Sequence, residues 1–259
     1  MSHQSQSQAI ITECLTVSNG PVSDFNPRPE DPCFCGSDKI FSTCCGSMEV
    51  ERPAPYGVHI FENFLTTDMV CELTDYADQC DGERLMMIDN ERSTPENIVR
   101  IADERRIAER VTLGDHWHPM NAMVRETFID LAKQCFGVTL DWYETPDLMR
   151  YRAGGHYVRH ADNANMDMAS QLWSKVIDRD LSLLLYLNDD FDGGELHFCK
   201  FNFRLRPRAG TAVIFPSDHR YMHQAETVTR GVRYAIVSWA SVNGIPKIAE
   251  APTACAIRI

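Results

Sequence analysis

The 259-residue sequence has no apolar stretch near the ~18 residues that a bilayer-spanning helix requires, so we expect no membrane segment. The first eight residues lack the basic n-region and the apolar h-region of a secretory signal, and we therefore expect a cytoplasmic protein. Internal repeats are absent, and no low-complexity tract follows those eight residues. The chain is long enough for one large domain and a small module.

Basic residues are scarce relative to acidic ones. The 25 lysines and arginines against 37 aspartates and glutamates give a formal net charge of −12. This balance argues against a nucleic-acid ligand, because binding a phosphate backbone needs a basic surface. One local basic patch, formed by Arg204, Arg206 and Arg208, does not overturn the balance and is interpreted as a solvated strand edge.

Cysteine is abundant by contrast, and four of the ten cysteines fall in one short segment, as Cys33, Cys35, Cys44 and Cys45. The other six are scattered without a pattern. Disulfides are not expected in a reducing compartment. Four thiolates in a short segment with glycine turns favour a structural zinc site, which can fold a module too small for its own core. A reactive or oxidised cysteine cluster is the alternative.

A second constellation combines histidine with aspartate. His160 and Asp162 are two residues apart in an extended segment, and residues i and i+2 share one face of a strand. His223 supplies a second histidine far downstream. Two histidines and one carboxylate, with the other positions open, form the site of non-haem Fe(II) oxygenases. Arg233, ten residues after His223, suits the distal carboxylate of a dicarboxylic co-substrate.

A bare His-x-Asp pair is weak evidence, since most such pairs are a strand histidine followed by a turn aspartate. The surrounding segments, however, resemble the 2-oxoglutarate- and Fe(II)-dependent prolyl hydroxylases over roughly residues 56–242. The segment from Tyr157 to Asn163, Tyr-Val-Arg-His-Ala-Asp-Asn, is similar to 4-hydroxylases. Residues 179–195, Arg-Asp-Leu-Ser-Leu-Leu-Leu-Tyr-Leu-Asn-Asp-Asp-Phe-Asp-Gly-Gly-Glu, are similar to 3-hydroxylases of the leprecan type.

The resemblance implies a role for each residue that matches its motifs. His160, Asp162 and His223 would hold Fe(II), with 2-oxoglutarate and O2 as co-substrates and ascorbate as a further candidate cofactor. Arg233 would pair with the distal carboxylate. The remaining cofactor-site residues are Tyr186, which shares that contact, Tyr151, whose spacing to His160 is one residue shorter than in the oxygen-sensing enzymes, and Trp239, which walls the pocket.

Other histidines compete with these assignments. His219 is an alternative distal ligand, but the distance from His223 to Arg233 matches the resembled enzymes better. His116 and His118 form a second pair without a third ligand nearby in the sequence, and are interpreted as helix-cap or surface residues. His156 faces the same side of its strand as His160 only if no bulge intervenes.

The cysteine segment resembles the SEC-C motif, with its Cys-x-Cys-Gly-Ser start and its terminal Cys-Cys pair; Asp38 stands where glycine is more usual. The resemblance implies structural zinc bound by all four cysteines. It also implies docking on a protein partner, with ribosomal and other translation components as candidates, and a bacterial cytoplasm.

The predicted organisation follows from these patterns. We expect a mobile segment over 1–27, the zinc module over 28–47, a linker over 48–55, the dioxygenase domain over 56–245 and a tail over 246–259. Short strands with turn signals around a metal site predict a mainly β fold with flanking helices, a double-stranded β-helix or jelly roll of cupin type.

Within the domain, one helix is expected after a Thr67 N-cap and a second over about 119–136. A hairpin turn is expected at Asp192–Gly194. Residues 164–178 are expected to form a loop or short helix beside the iron, and residues 81–116 to hold a mobile loop that closes over the substrate, as the resemblance implies.

Three functions remain open at this point. The first is hydroxylation of a prolyl residue in a cytoplasmic protein, yielding succinate and CO2. The second is oxygenation of a free amino acid, small peptide or natural-product intermediate. The third is an inactive binding protein, against which the intact ligand set argues. The target, the choice between C3 and C4 hydroxylation and the oligomeric state are not determined by the sequence.

Overall fold

The computed structural model of the chain describes residues 20–34, 37–47, 54–88, 92, 97 and 99–259. Most of the predicted N-terminal segment and linker lies outside these residues. The described part contains two α-helices, α1 (Thr67–Gln79) and α2 (Trp117–Leu131), and a π-helical turn (Ala132–Phe136) continues α2. Within these residues, no helix has the length and apolar composition needed to cross a membrane.

The described part is otherwise mainly strand. In chain order the strands are β1 (Val22–Ser23), β2 (His59–Phe61), β3 (Gly82–Arg84), β4 (Met87–Ile88), β5 (Arg100–Ile101), β6 (Arg106–Ile107), β7 (Glu109–Val111), β8 (Leu140–Glu144), β9 (Asp147–Arg152), β10 (His156–His160), β11 (Ala164–Asp167), β12 (Leu172–Lys175), β13 (Leu181–Tyr186), β14 (Asp192–Gly193), β15 (Leu196–Phe198), β16 (Phe203–Leu205), β17 (Ala212–Pro216), β18 (His223–Ala225), β19 (Val228–Arg230), β20 (Val232–Val242) and β21 (Ala256–Arg258).

Two antiparallel sheets carry the domain. The major sheet has the order β2-β17-β13-β20-β9-β7-β3, with β8 paired to β20 and β21 paired to β8. The minor sheet has the order β16-β15-β18-β10-β6. Their inner faces pack together, as the edge-to-face contact between Phe198 and Phe215 at 5.0 Å shows. The predicted mainly β, double-stranded β-helix fold is confirmed.

The alternation of β13 decides which side chains face the site. Side chains of a strand point alternately to opposite faces. Leu181, Leu183 and Leu185 join the core between the major sheet and the helices. Leu184 and Tyr186 join the core between the two sheets. Helices α1 and α2 cover the outer face with apolar side chains at helical spacing, among them Val70, Leu73, Ala77, Val124, Phe128 and Leu131.

Both predicted helices exist, with small differences at their ends. The N-cap of α1 is Thr66 rather than Thr67, because the side chain of Thr66 accepts a hydrogen bond from the Met69 amide at 3.3 Å. Its backbone is extended, as an N-cap requires. The second helix begins at Trp117, and its last turn is π-helical up to Gly137, which ends it with a φ of 68°.

The hairpin turn expected at Asp192–Gly194 is wrong, because Asp192 and Gly193 form a short strand that pairs with the distant strand β19. Gly193 and Gly194 do have positive φ values of 70° and 66°. A side chain at Gly193 would place its Cβ 2.2 Å from the Thr227 carbonyl oxygen. The reason for this close approach is that β14 pairs with β19, while the chain passes from the major sheet at β13 to the minor sheet at β15.

Two segments expected to be loops contain strands. Residues 164–175 form the hairpin β11–β12, whose tight end has Gln171 at a φ of 57°. Residues 82–111 contribute β3 and β7 to the major sheet, β6 to the minor sheet and the separate pair β4–β5. Part of the expected mobile loop, residues 89–91, 93–96 and 98, lies outside the described residues.

Segments near both ends of the described part of the chain pack on the domain. Near the N-terminus, β1 pairs with β12 and Asp24 accepts a hydrogen bond from the Trp173 indole at 2.9 Å. Phe34 contacts Phe201 of the domain, with ring centroids 5.6 Å apart. The segment expected to be a tail contributes β21, which pairs with β8. Residues 20–34 are thus in contact with the domain.

Candidate active site

The predicted ligand triad converges at one end of the minor sheet. His160 lies opposite His223 in the antiparallel pair β10–β18, and Asp162 follows immediately after β10. A register irregularity between Tyr157 and His160 turns the end of β10. One Asp162 carboxylate oxygen lies 3.5 Å from His160 Nε2, and the other lies 3.7 Å from His223 Nε2. The three groups offer ligand atoms close enough to share one metal ion.

Hydrogen bonds orient both imidazoles for metal binding. The Nδ1 of His160 lies 2.9 Å from the Val158 carbonyl oxygen, and the Nδ1 of His223 lies 3.1 Å from the Tyr221 carbonyl oxygen. Because a carbonyl can only accept, each Nδ1 carries a proton, and the neutral form of each ring then has its lone pair on Nε2. Such hydrogen bonds to the second nitrogen are how proteins hold histidine ligands in the required tautomer.

Asp162 is held as a carboxylate. Its burial would raise its pKa, but His223, His160 and the Ser182 hydroxyl outweigh that effect and hold the pKa well below its usual range. Ser182 Oγ donates to one Asp162 oxygen at 2.7 Å and lies 2.7 Å from Ser217 Oγ. Burial also lowers the pKa of His223 to about 4, so its ring is neutral at physiological pH. Anionic carboxylate and neutral imidazoles are the protonation states that bind a divalent metal.

Replacing Ser182 by alanine tests the contribution of this hydrogen bond. We expect Fe(II) affinity to fall roughly 10–100-fold, the usual effect of losing an outer-shell partner. Titration of the apoprotein with Fe(II) measures the change. Ser238→Ala is the matched control, since Ser238 is a buried serine on the neighbouring β20 whose hydroxyl donates to the Glu144 carbonyl instead. Equal iron affinities in the two variants would contradict the assignment.

Arg233 lies inside the barrel with part of its guanidinium unsatisfied. Only 3% of the residue is exposed, and its Cζ lies 4.8 Å from the Tyr151 ring centroid and 5.2 Å from that of Tyr186. Its Nη2 donates to Tyr186 Oη at 3.4 Å. Among the described residues, its Nε and Nη1 have no hydrogen-bond partner. A buried guanidinium with unsatisfied donors fits an anionic ligand such as a carboxylate.

One cavity of about 180 Å³ joins the triad to Arg233. Trp239 lines it, as predicted, and the Arg179 guanidinium stacks on the Trp239 ring at 3.8 Å. Arg179 also forms a double hydrogen bond with Glu144, both at 2.7 Å. The metal-binding atoms and the unsatisfied arginine therefore lie in the same enclosed space, as binding of a metal-chelating dicarboxylate would require.

The cavity also contains residues that sequence reasoning missed. Tyr157 stacks on the His160 ring at 3.6 Å, and Arg106 lies 4.6 Å above the Tyr157 ring. Ser182 was overlooked as a partner of Asp162. The alternation of β13 places Ser182 on the inner face with Tyr186, and that signal was readable. No comparable signal marks Arg106, because its strand has only two residues.

The alternative histidines lie elsewhere. His219 stacks on Trp173 with ring centroids 5.7 Å apart and does not belong to the convergent group. His116 lies 3.4 Å from Glu72, and the His118 ring contacts Trp117. Each nitrogen of the His156 ring lies within 3.0 Å of a main-chain carbonyl oxygen.

The cysteine segment forms a second convergent group. The sulfur atoms of Cys33, Cys44 and Cys45 lie close enough to share a metal ion, and Cys33 and Cys45 are buried. Cys35, the fourth predicted ligand, lies outside the described residues. Main-chain hydrogen bonds close this turn, including Cys33 N to Lys39 O at 2.9 Å.

Comparisons with known proteins agree with the geometry. The family model of the 2OG-Fe(II) oxygenase superfamily matches residues 146–241. Prolyl 3-hydroxylase 2 of Mus musculus is 37% identical over 93 residues, covering 32% of this chain and 13% of that protein. A PKHD-type hydroxylase of Hyphomonas neptunium is 36% identical over 100 residues, covering 37% of this chain and 42% of that protein. The chain thus spans less than half the length of these curated relatives.

A solved structure shows the same fold. The prolyl-4-hydroxylase of Pseudomonas putida superimposes with a TM-score of 0.53 at 21% identity, covering 71% of this chain and 92% of that one. The matched residues 146–241 include both histidines of the triad, Asp162 and Arg233. Residues 146–241 are therefore similar in sequence to the 2OG-Fe(II) oxygenase superfamily, and this match includes the convergent triad and Arg233.

Proposed function

We propose that the chain hydroxylates a prolyl residue of a cytoplasmic protein, using Fe(II), 2-oxoglutarate and O2 and releasing succinate and CO2. The observation that carries the dioxygenase assignment is the shared cavity. Its lining contains three metal-binding side chains and a buried guanidinium, two of whose donors have no partner among the described residues. The prolyl substrate is supported by the relatives, which are named prolyl hydroxylases.

Each site residue has a role in this proposal. His160 and His223 bind iron through Nε2, and Asp162 binds it through its carboxylate. Arg233 binds the distal carboxylate of 2-oxoglutarate through its guanidinium, next to the Tyr186 hydroxyl. Iron bound at this site would activate O2, and ascorbate is a candidate reductant. Tyr151 and Trp239 complete the cofactor-facing wall and exclude water.

The size of the cavity supports a large substrate that inserts one side chain. Pockets for complete small molecules usually have volumes of roughly 300–1,000 Å³. The cavity here has about 180 Å³, and 2-oxoglutarate would take part of it. The space that remains suits a single ring presented from outside, as a prolyl side chain on a peptide would be.

The test is a search for added oxygen on proline in the proteome of the host. We expect at least one protein to carry it in cells with the gene, but not in cells without it or with His160→Ala. Components of translation are the leading target class. Opposite charge raises the rate of encounter, so the acidic chain would suit a basic target such as a ribosomal protein. Oxygen on a free metabolite, with no protein modified at proline, would favour the small-molecule alternative.

We also propose that Cys33, Cys35, Cys44 and Cys45 bind one structural zinc ion. The convergence of three of these sulfur atoms supports the site. We expect elemental analysis to find one zinc per chain in protein purified without chelator, and Cys45→Ser to lose it while Fe(II) binding at the triad persists. Cys71→Ser is the control, since Cys71 is exposed on α1. Wild-type protein without zinc would contradict the site.

A further inference from the structure

Arg106 differs from the other arginines that line the cavity. Arg110 pairs with Asp147 at 2.9 Å, and Arg179 pairs with Glu144 at 2.7 Å. Arg233 faces the position assigned to the co-substrate. Across the described part of the chain, Arg106 makes no ion pair, and its Nε is buried without an acceptor. The Asp147 carboxylate, itself paired with Arg110, attracts Arg106 without forming an ion pair with it, so no carboxylate of the described residues occupies the Arg106 donors.

The contacts of Arg106 hold it in place without neutralising it. Its guanidinium lies 4.6 Å above the Tyr157 ring, and its Nη2 lies 3.9 Å from the sulfur of Met149. Tyr157 in turn stacks on the iron-facing His160. The Tyr157 ring thus lies between Arg106 and the imidazole of His160. A ring face and a thioether are weak partners for a guanidinium.

We infer that Arg106 binds a carboxylate of the substrate, beside the C–H bond that is hydroxylated. This inference rests on the proposed function, since it assumes that the cavity receives a substrate. A guanidinium prefers a carboxylate because its planar fork matches the two oxygens. The carboxylate is either an aspartate or glutamate side chain next to the modified residue, or the free α-carboxylate of a chain end. Both sources offer the same planar, anionic group.

A peptide selection without oxygen tests the inference independently of turnover. Wild-type protein with Fe(II) and 2-oxoglutarate, kept anaerobic, selects binders from two random peptide libraries. One library has free C-terminal carboxylates and the other has amidated C-termini, so the two sources are distinguished. The variants are Arg106→Gln and Arg106→Glu. Arg105→Gln is the matched control, since Arg105 is adjacent in sequence but exposed and paired with Asp103.

We expect the wild type and Arg105→Gln to enrich peptides with an acidic residue at one fixed position, or with a free C-terminus. Arg106→Gln should bind those peptides about 10–100-fold more weakly, as expected for the loss of a charge-assisted pair. Arg106→Glu should prefer lysine or arginine at the same position. Affinity for 2-oxoglutarate should stay unchanged in all variants.

Several results would overturn the inference. The inference fails if the wild type selects neither an acidic residue at one position nor a free C-terminus. It also fails if Arg106→Gln keeps that preference, or if the wild type binds no peptide. If the Arg106 variants lost affinity for 2-oxoglutarate as strongly as affinity for peptides, Arg106 would belong to the co-substrate site instead. Admitting oxygen to the selected complexes then tests the proposed function separately, because it asks whether a bound peptide gains oxygen at proline.

Discussion

Replacing His160, Asp162 or His223 by alanine is expected to abolish 2-oxoglutarate turnover. Each substitution removes one of three ligands from a site in which the ligand atoms lie within 4.8 Å of one another. Losing an outer-shell partner alone costs roughly 10–100-fold in metal affinity or activity, and a ligand should cost more. Succinate release measures turnover, and elemental analysis measures bound iron.

The control for this prediction is His219→Ala. His219 is a buried histidine only four residues before His223, but it stacks on Trp173 and takes no part in the triad. We expect His219→Ala to keep both iron and turnover when assayed at a temperature where it stays folded. Turnover that survives in His223→Ala but disappears in His219→Ala would show that the distal ligand is assigned wrongly.

Replacing Arg233 by alanine is expected to weaken 2-oxoglutarate binding by about two to three orders of magnitude. The substitution would leave the distal carboxylate buried without its cation. Breaking a buried ion pair by removing one partner costs roughly 3–5 kcal/mol, and each 1.4 kcal/mol corresponds to about a tenfold change in affinity. Iron binding should change far less, because Arg233 is not one of the three convergent ligands. Anaerobic titration with 2-oxoglutarate measures the loss.

Two further variants define what the Arg233 result means. Tyr186→Phe removes only the hydroxyl that contacts Arg233 at 3.4 Å, so its effect should be much smaller. Arg152→Gln changes an arginine next to Tyr151 that is exposed and lies 3.4 Å from Glu109. It should bind 2-oxoglutarate like the wild type. An unchanged affinity in Arg233→Ala would refute the co-substrate assignment.

The domain was predictable because its strands carry strong local signals. Strand β13 is a nearly continuous apolar run, as expected for a strand buried on both faces. The segment around His160 and Asp162 fixes the face that meets a metal. The fold class follows from many short strands around such a site. The side chains of the candidate site then converge because β10, β18 and β20, which carry or precede them, lie in the two sheets of this fold. These side chains are His160, Asp162, His223 and Arg233.

The features that were missed depend on pairing between distant segments. The partner of β14 is the distant strand β19, where Asp192 pairs with Arg230, so its glycines gave a local turn signal without the correct strand partner. The hairpin β11–β12 has polar residues on both faces, and it is completed by β1 from the N-terminal segment. Arg106 reaches the cavity only because β6 pairs with β10, and a two-residue strand has no periodicity to detect.

The pairing of His160 with His223 has a consequence for folding. The two residues are 63 positions apart, and only completed pairing of β10 with β18 brings their imidazoles together. An unfolded chain offers no preformed site, so a metal that binds the triad stabilises the folded state by mass action. At about 100 times its dissociation constant, such a ligand contributes about 2.7 kcal/mol to the free energy of unfolding. Iron would therefore act as a reversible cross-link between two strands that meet across an irregular register.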